Sequence, residues 1–239
     1  MYAIIPLAGF GSRFERSAWK VPKPLIQVDK KPMFYYSVAS LPLANFSEII
    51  FIIRDDGDKV RLVNSIQREF SNLPISFQTL SEPTRGQAET VYLATSHIPS
   101  EEPIVIHNGD TAFSANFTQS FFHENSLLLF NDTDPRWSFA KLKENGEVTQ
   151  TAEKTQISEF ASTGTYTFEN NKVFRKNYEE HQKSFLGEHY IAPIYNRIIQ
   201  RGGIVNSLIA KEIYCMGTPD DLNVTMEKIN NWRPNEQIF

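Results

Sequence analysis

Cysteine is nearly absent from this chain of 239 residues, with Cys215 as its single thiol. One thiol excludes an intrachain disulfide framework and any multi-thiolate metal centre, and it points toward a reducing compartment. Long apolar runs are missing too. The best, from Ile49 to Ile53, falls far short of the roughly 18 residues that cross a bilayer, so no membrane association is expected. No block of lysine or arginine interrupts the chain, and 24 Lys and Arg against 28 Asp and Glu leave a net charge of −4. Neutralising a nucleic-acid backbone takes clustered cations. Nucleic acid is therefore not an expected partner, whereas a few local cations would serve a small anion. The histidines, His97, His107, His123, His181 and His189, show no metal-ligand spacing, and no Gly-x-Ser-x-Gly nucleophile elbow occurs. Repeats, low-complexity tracts and Gly/Ser linkers are also lacking, which argues against two separately folding units.

What is present belongs to a folded globular chain: 41% apolar, 13% aromatic and 22% charged residues lie well outside the disordered class. The apolar opening, Met1 to Ala8, has no basic n-region and runs straight into a glycine-rich turn. It reads as a first buried strand rather than a secretory leader, and a cytoplasmic location is the expectation. Short apolar runs at 2–6, 48–53, 75–80 and 103–107 alternate with helical patterns at 33–40, 58–70 and 87–96. Such alternation predicts βαβ units and a largely parallel sheet. Val60, Val63, Ile66 and Phe70 draw one apolar stripe for packing the second helix on that sheet. Strands are expected further on at 127–130, 138–142, 164–168 and 204–208, with helices at 171–182 and 190–200. The last helix has the clearest start: Thr218 can cap it, Pro219 suits its first position, and Asp220 and Asp221 complement the dipole. It should reach about Trp232.

Three segments carry chemistry. In Pro6-Leu7-Ala8-Gly9-Phe10-Gly11-Ser12-Arg13-Phe14, glycines at the carboxyl end of the first strand would let backbone N–H groups approach phosphate oxygens. Arg13 and Lys23, the latter in Lys20-Val21-Pro22-Lys23-Pro24-Leu25, would add positive charge. The dinucleotide fingerprint fails because Phe14 stands in place of a third glycine, and no Gly-Lys-Ser/Thr follows to make a P-loop. In Arg85-Gly86-Gln87-Ala88, Gly86 permits close backbone approach and Gln87 offers both a donor and an acceptor to a base edge. In His107-Asn108-Gly109-Asp110-Thr111 a carboxylate ends an apolar strand, where open α/β sheets place functional groups.

Taken together, these segments resemble the sugar-phosphate nucleotidyltransferase family, whose members read approximately Leu-Ala-Gly-Gly-x-Gly-Thr-Arg-Leu and then Pro-Lys-Pro-Leu. Here Leu7 to Phe14 and Pro22 to Leu25 match, with Phe10 in place of the second glycine and Ser12 in place of the threonine. Matches in the family's order continue through Glu153-Lys154, Ser162-Thr163-Gly164-Thr165-Tyr166, Gly187-Glu188 and Ile213 to Leu222. The resemblance implies an α/β fold: a Rossmann-like, mixed and mostly parallel sheet flanked by helices. One domain would span 1–239, with a nucleotide-binding half, 1–111, and an acceptor-binding half, 112–239, that ends in the C-terminal helix. It also implies catalytic Arg13 and Lys23, and a nucleotide held by Leu7, Ala8, Gly9, Gly11, Ser12, Glu82, Gly86 and Gln87. The phosphorylated acceptor would be held by Glu153, Lys154, Gly164 and Glu188, with Lys154 on its phosphate and glutamate on its hydroxyls, and magnesium would sit on Asp110. Such an enzyme would join a nucleoside triphosphate to a phosphorylated small molecule, often a sugar 1-phosphate for capsule or surface polysaccharide, and release pyrophosphate. A homo-oligomer is compatible with all of these features.

One departure stands out. Relatives commonly carry an aspartate two residues before Gly217 as a second metal ligand, and this chain has Cys215 there. Magnesium prefers oxygen to sulfur, so either Asp110 suffices with the phosphates, another oxygen moves in, or the chemistry is weakened. Base and acceptor identity also stay open. Cytidylyl transfer to a non-sugar phosphate is one alternative, and a nucleotide-binding pseudoenzyme is another. A third, a glycosyltransferase, would use Asp132-Thr133-Asp134 as its metal motif, although that triplet beside Pro135 also reads as a turn. Trp137, Phe139 and Lys141 would share one strand face and either line an acceptor pocket or fill the core.

Overall fold

A computed structural model describes residues 1–14 and 21–234; Lys20, read above with the Pro-Lys-Pro element, lies outside the described residues. β1 (Tyr2–Pro6) leads to a short hairpin, β2 (Gln27–Val28) and β3 (Lys31–Pro32), and then to α1 (Met33–Val38) and β4 (Glu48–Arg54). Next come α2 (Lys59–Glu69), β5 (Ile75–Leu80), α3 (Gln87–Ala94), β6 (Ile104–His107) and β7 (Thr111–Ser114). The second half comprises β8 (Ser126–Asn131), β9 (Ser138–Leu142), β10 (Val148–Glu153), β11 (Phe160–Phe168) and α4 (Asn171–Ser184). It ends with α5 (Tyr195–Gln200), β12 (Asn206–Ile209), β13 (Glu212–Cys215) and α6 (Pro219–Lys228).

One mixed sheet organises these elements. β5, β4, β1 and β6 are parallel neighbours in that order. β11 then pairs antiparallel with β6 and carries β8 and β12 beyond it. Nearer its start β11 meets β9, which leads to β10. Side chains alternate across a strand, and a parallel sheet covered on both faces therefore reads as continuous apolar sequence. Accordingly Ile4, Ile50 and Ile52 pack with Val91 of α3 and Tyr178 of α4. Ala3, Ile5, Phe51 and Ile53 face the other way, onto Phe34 of α1 and Ile66 of α2.

The structure departs from the sequence expectations at several elements. On α2 the inward residues are Leu62 and Ile66, with Phe70 just beyond, whereas Val60 is 69% exposed. Val60 lies ten residues before Phe70, which at about 100° per residue turns it about 80° away from the buried stripe. No regular helix begins at Tyr190: a 3₁₀ turn at Ala192–Ile194 precedes α5, because Pro193 lacks an N–H and is tolerated only in a first turn. Tyr190 is thereby left in a loop. The sequence expectation contains no strand at β2, β3, β7, β10 or β13. β10 is mostly polar because it sits at the sheet edge, and β7 and β13, four residues each, pair only with one another.

That small β7–β13 ladder and α6 form a third packed layer. Tyr214, Met216, Leu222 and Trp232 close on Met33 and Tyr36, and Trp232 Nε1 donates to the Phe113 carbonyl at 3.3 Å. Thr218 caps α6 by accepting from the Asp221 N–H. Beneath the end of β6, His107 is fully buried. Its Nε2 lies 3.0 Å from both Ser37 Oγ and the Thr111 carbonyl, and its Nδ1 lies 2.9 Å from Thr165 Oγ1. His107 thus ties α1, β7 and β11 together, and burial pushes its imidazole down to about 4.

A buried neutral imidazole makes stability depend on pH. Below its ordinary value of about 6.5 the unfolded chain takes up a proton that the native chain refuses, so stability falls as pH drops from about 6.5 toward 4. The buried His181 and His189, also held low by burial, act in the same direction. Urea unfolding at pH 7 and pH 5 should show the loss, up to about 1.4 kcal/mol per pH unit for His107. His107→Gln should be less stable at pH 7 and should show a shallower pH dependence.

Candidate active site

The carboxyl ends of β1, β4, β5 and β6 open into a single cleft of about 540 Å³. All fifteen candidate residues from the sequence line it: Leu7, Ala8, Gly9, Gly11, Ser12, Arg13, Lys23, Glu82, Gly86, Gln87, Asp110, Glu153, Lys154, Gly164 and Glu188. The first-strand turn forms one wall. Its course is fixed by Leu7, whose N–H donates to the Ile52 carbonyl at 2.8 Å, and by a 3₁₀ turn at Ser12–Phe14 that buries Phe14 and leaves Arg13 exposed. A Cβ at Gly9 would meet no atom within 4 Å, so this part of the wall is bare backbone facing open space.

Lys23 crosses the cleft floor. Its ammonium donates to Asp110 Oδ2 at 2.5 Å and to the Gly217 carbonyl at 3.2 Å. Burial alone would raise the Asp110 carboxyl, but Lys23, with smaller help from His107 and Arg13, outweighs it and holds the group below the usual carboxylate range. The β7–β13 ladder sets Cys215 opposite Thr111, and the Met216 N–H donates to the Asp110 carbonyl at 2.8 Å. Burial, then the charges of Asp221 and Asp110, push the Cys215 thiol up to about 12. It is a neutral thiol at physiological pH. Among the described residues no three His, Cys, Asp or Glu groups gather as a metal cluster.

The start of α3 forms the opposite wall, held by an unusual backbone. Gly86 has φ +145°, and a Cβ there would lie 2.6 Å from the His189 carbonyl oxygen. Only glycine fits. His189 N–H donates to the Arg85 carbonyl at 2.8 Å, and its own carbonyl accepts from Ala88 N–H at 2.8 Å, so His189 clamps this loop. Gln87 Nε2 donates to Asn108 Oδ1 at 2.6 Å. Asn108 in turn packs where β11 breaks register between Ser162 and Thr165. There Gly164 has φ +81°, and a Cβ would come 2.2 Å from the Asn108 side chain.

At the far end lie Glu153, Lys154 and Glu188. Glu153 accepts a hydrogen bond from Ser138 Oγ, and burial raises its carboxyl more than Ser138 and Lys154 lower it. Lys154 donates to Tyr190 Oη and sits 3.7 Å from Glu188, while Tyr190 Oη donates to Glu188. Hydrogen bonding to Tyr190 pushes the Lys154 ammonium up. Of the row Trp137, Phe139 and Lys141, only Trp137 lines the cleft; Phe139 is fully buried in a small core with Phe130 and Ala161. Asp132 and Asp134 form a turn instead of facing the cleft as a pair, accepting from the N–H groups of Asp134 and Arg136 at 2.8 and 3.0 Å.

Several cleft residues went unassigned to the site in the sequence reading. Arg54 lies over the exposed Phe10 ring, 4.5 Å from its centroid. Arg136 binds Asp221 through both terminal nitrogens, at 2.8 Å each. These are ordinary charged residues in turns or at element ends, without a motif to mark them. The sequence marks Asp221 only as a helix-start residue, and Asn108 only as a member of the segment that ends in Asp110.

Sequence and structure comparisons agree. The family described as nucleotidyl transferase matches residues 2–231. The bifunctional protein GlmU of Aquifex aeolicus is 26% identical over 89% of this chain, which spans 49% of that protein's length. A UTP–glucose-1-phosphate uridylyltransferase, AglF of Haloferax volcanii, is 23% identical, with 87% of each chain covered. Among solved structures, a nucleoside-diphosphate-sugar pyrophosphorylase from Vibrio cholerae RC9 superposes with a TM-score of 0.84 at 30% identity, covering 95% of this chain and 100% of that one. The fold, the residue order along the cleft and these matches agree: the chain belongs to the nucleotidyl transferase family.

Proposed function

We propose that this protein transfers a nucleotidyl group from a nucleoside triphosphate to a phosphorylated small molecule, with a sugar 1-phosphate as the leading acceptor, and releases pyrophosphate. The observation that carries this reading is that the Lys23–Asp110 pair shares one cleft with a bare glycine turn and with the Glu153–Lys154 pocket. A triphosphate lying along the glycine turn and an acceptor phosphate entering from the pocket would meet there. Residues 1–111 supply most of the nucleotide side and residues 112–239 most of the acceptor side.

In the reaction an oxygen of the acceptor phosphate attacks the α-phosphorus in line. A new P–O bond forms, and the bond from the α-phosphorus to its bridging oxygen breaks, with both electrons leaving on pyrophosphate. The nucleophile is already anionic near neutral pH, so no general base or covalent intermediate is needed. The work of the protein is positioning and charge stabilisation. Backbone N–H groups from Ala8 to Ser12 cradle the phosphates beside Leu7, Arg13 and Lys23 balance charge on the α-phosphate and the leaving group, and Glu82, Gly86 and Gln87 border the base. Lys154 receives the acceptor phosphate, while Glu153 and Glu188 accept hydrogen bonds from its hydroxyls, with Gly164 leaving room beside them. Asp110 offers the hard oxygen that suits magnesium, an ion that takes one or two carboxylates and completes its shell with phosphate and water. Bound there, magnesium would neutralise phosphate charge. The neutral Cys215 thiol does not fit it, and the carboxylate of Asp221 close by does.

Pyrophosphate release, assayed with magnesium across nucleoside triphosphates crossed with phosphorylated sugars and small alcohols, should appear for one matched pair. Silence across the whole panel would remove the assignment. With that pair, Lys23→Ala should lower kcat by about 10²-fold or more, the scale of losing one group that stabilises transition-state charge, while circular dichroism stays unchanged. Acceptor KM should fall as pH rises through a Glu153 titration that burial places above the ordinary glutamate value. Glu153→Gln should raise KM and flatten that dependence.

A further inference from the structure

Two carboxylates flank the bare backbone of Gly217. A Cβ on Gly217 would lie 3.7 Å from Asp110 Oδ2 and 3.8 Å from Asp221 Oδ2. Asp110 reaches this point from the end of β6, and Asp221 from the first turn of α6, which Thr218 and Pro219 start directly after Gly217. The Asp221 side chain is only 13% exposed, and both its oxygens are in use. Arg136 binds them bidentately at 2.8 Å, and Thr218 Oγ1 donates to Oδ2 at 2.7 Å. A helix cap alone explains the Thr218 contact. It does not explain why an arginine from the β8–β9 loop reaches 85 residues along the chain to neutralise this carboxylate. The two carboxylates are matched in one further respect, since each is paired with a single cation that an incoming phosphate can take: Lys23 on Asp110 and Arg136 on Asp221.

We propose that Asp221 supplies the second protein carboxylate for the magnesium placed at Asp110, in the role that Cys215 cannot fill, and that Arg136 is the counter-ion it exchanges for the metal. This rests on the reading above, because it presumes that phosphates and magnesium share the Asp110 end of the cleft. Carboxylate oxygen is a donor that magnesium accepts readily, and sulfur is not. With Arg136 released toward phosphate, the charge on Asp221 passes from one cation to another rather than being left unpaired in a partly buried site.

The test needs neither turnover nor knowledge of the base or acceptor. Manganese(II) stands in for magnesium, inorganic pyrophosphate is the phosphate probe, and bound Mn²⁺ is read by the loss of its free-ion electron paramagnetic resonance signal. Asp221→Asn should weaken Mn²⁺ binding about tenfold or more, and adding Cys215→Asp to it should restore binding. Arg136→Met should act in the opposite direction and tighten Mn²⁺ binding in the absence of pyrophosphate, because Asp221 then lacks its competitor. Thr218→Ala, which removes the cap and keeps the carboxylate, should leave the affinity near wild type. Unchanged binding in Asp221→Asn, or an equal loss in Thr218→Ala, would overturn the proposal while leaving the site intact, provided Asp110→Asn weakens binding. Binding unaffected by Asp110→Asn, or absent from the wild type, would overturn the placement of the metal and this proposal with it.

Discussion

The contact on which the cleft depends is the ion pair between Lys23 and Asp110, extended by the Lys23 bond to the Gly217 carbonyl. It joins three parts of the chain that fold into different layers: the loop after β1, the end of β6 and the approach to α6. A partly buried ion pair contributes little net stability, because desolvation offsets its attraction. Its effect is on geometry. With Lys23 fixed at both ends, the glycine turn, the β6 carboxylate and the last helix cannot move independently, and the cleft between them keeps its shape.

The two ends of the cleft are linked through the backbone. The loop at Gly86 is clamped to His189, and Gln87 holds Asn108, which fills the space that Gly164 leaves free in the bulge of β11. Glu188 and Tyr190 extend from the same clamped loop toward Lys154. The wall assigned to the nucleotide and the pocket assigned to the acceptor are therefore connected by short, specific contacts at positions where a larger residue than glycine would collide. The nucleotide wall rests on the parallel core, whose strands are buried on each face and leave their carboxyl ends for charged side chains, and the acceptor pocket rests on antiparallel β10 and β11.

Charge balance is a second constraint. Asp110 pairs with Lys23, Asp221 with Arg136 and Glu188 with Lys154. A cleft wired in this way can exchange partners with an anionic ligand without leaving a buried charge uncompensated, which is the costly outcome. The Cys215 thiol beside them is kept neutral chiefly by burial, and then by the charges of Asp221 and Asp110.

Much of this was legible in the sequence, because the relevant signals are local. Apolar runs bounded by turn residues placed β1, β5 and β9 at their observed limits, and the Thr-Pro-Asp-Asp start of α6 specified its own cap. Most of the fifteen candidate residues follow β1, β5 and β6, whose parallel carboxyl ends bring them together, and all fifteen line one cleft. The turn of about 100° per residue already carries Val60 past the buried stripe, and Pro193 already limits where a regular helix can begin, but periodicity could not say that Tyr190 would face the pocket. Nor could it find β7 and β13, four residues each, which become strands only by pairing across about a hundred residues of intervening chain. Arg136 and Asp221 are single charged residues with no pattern around them. Their meeting at Gly217 was decided by the tertiary structure alone, since it depends on where a loop and a helix start come to lie in space.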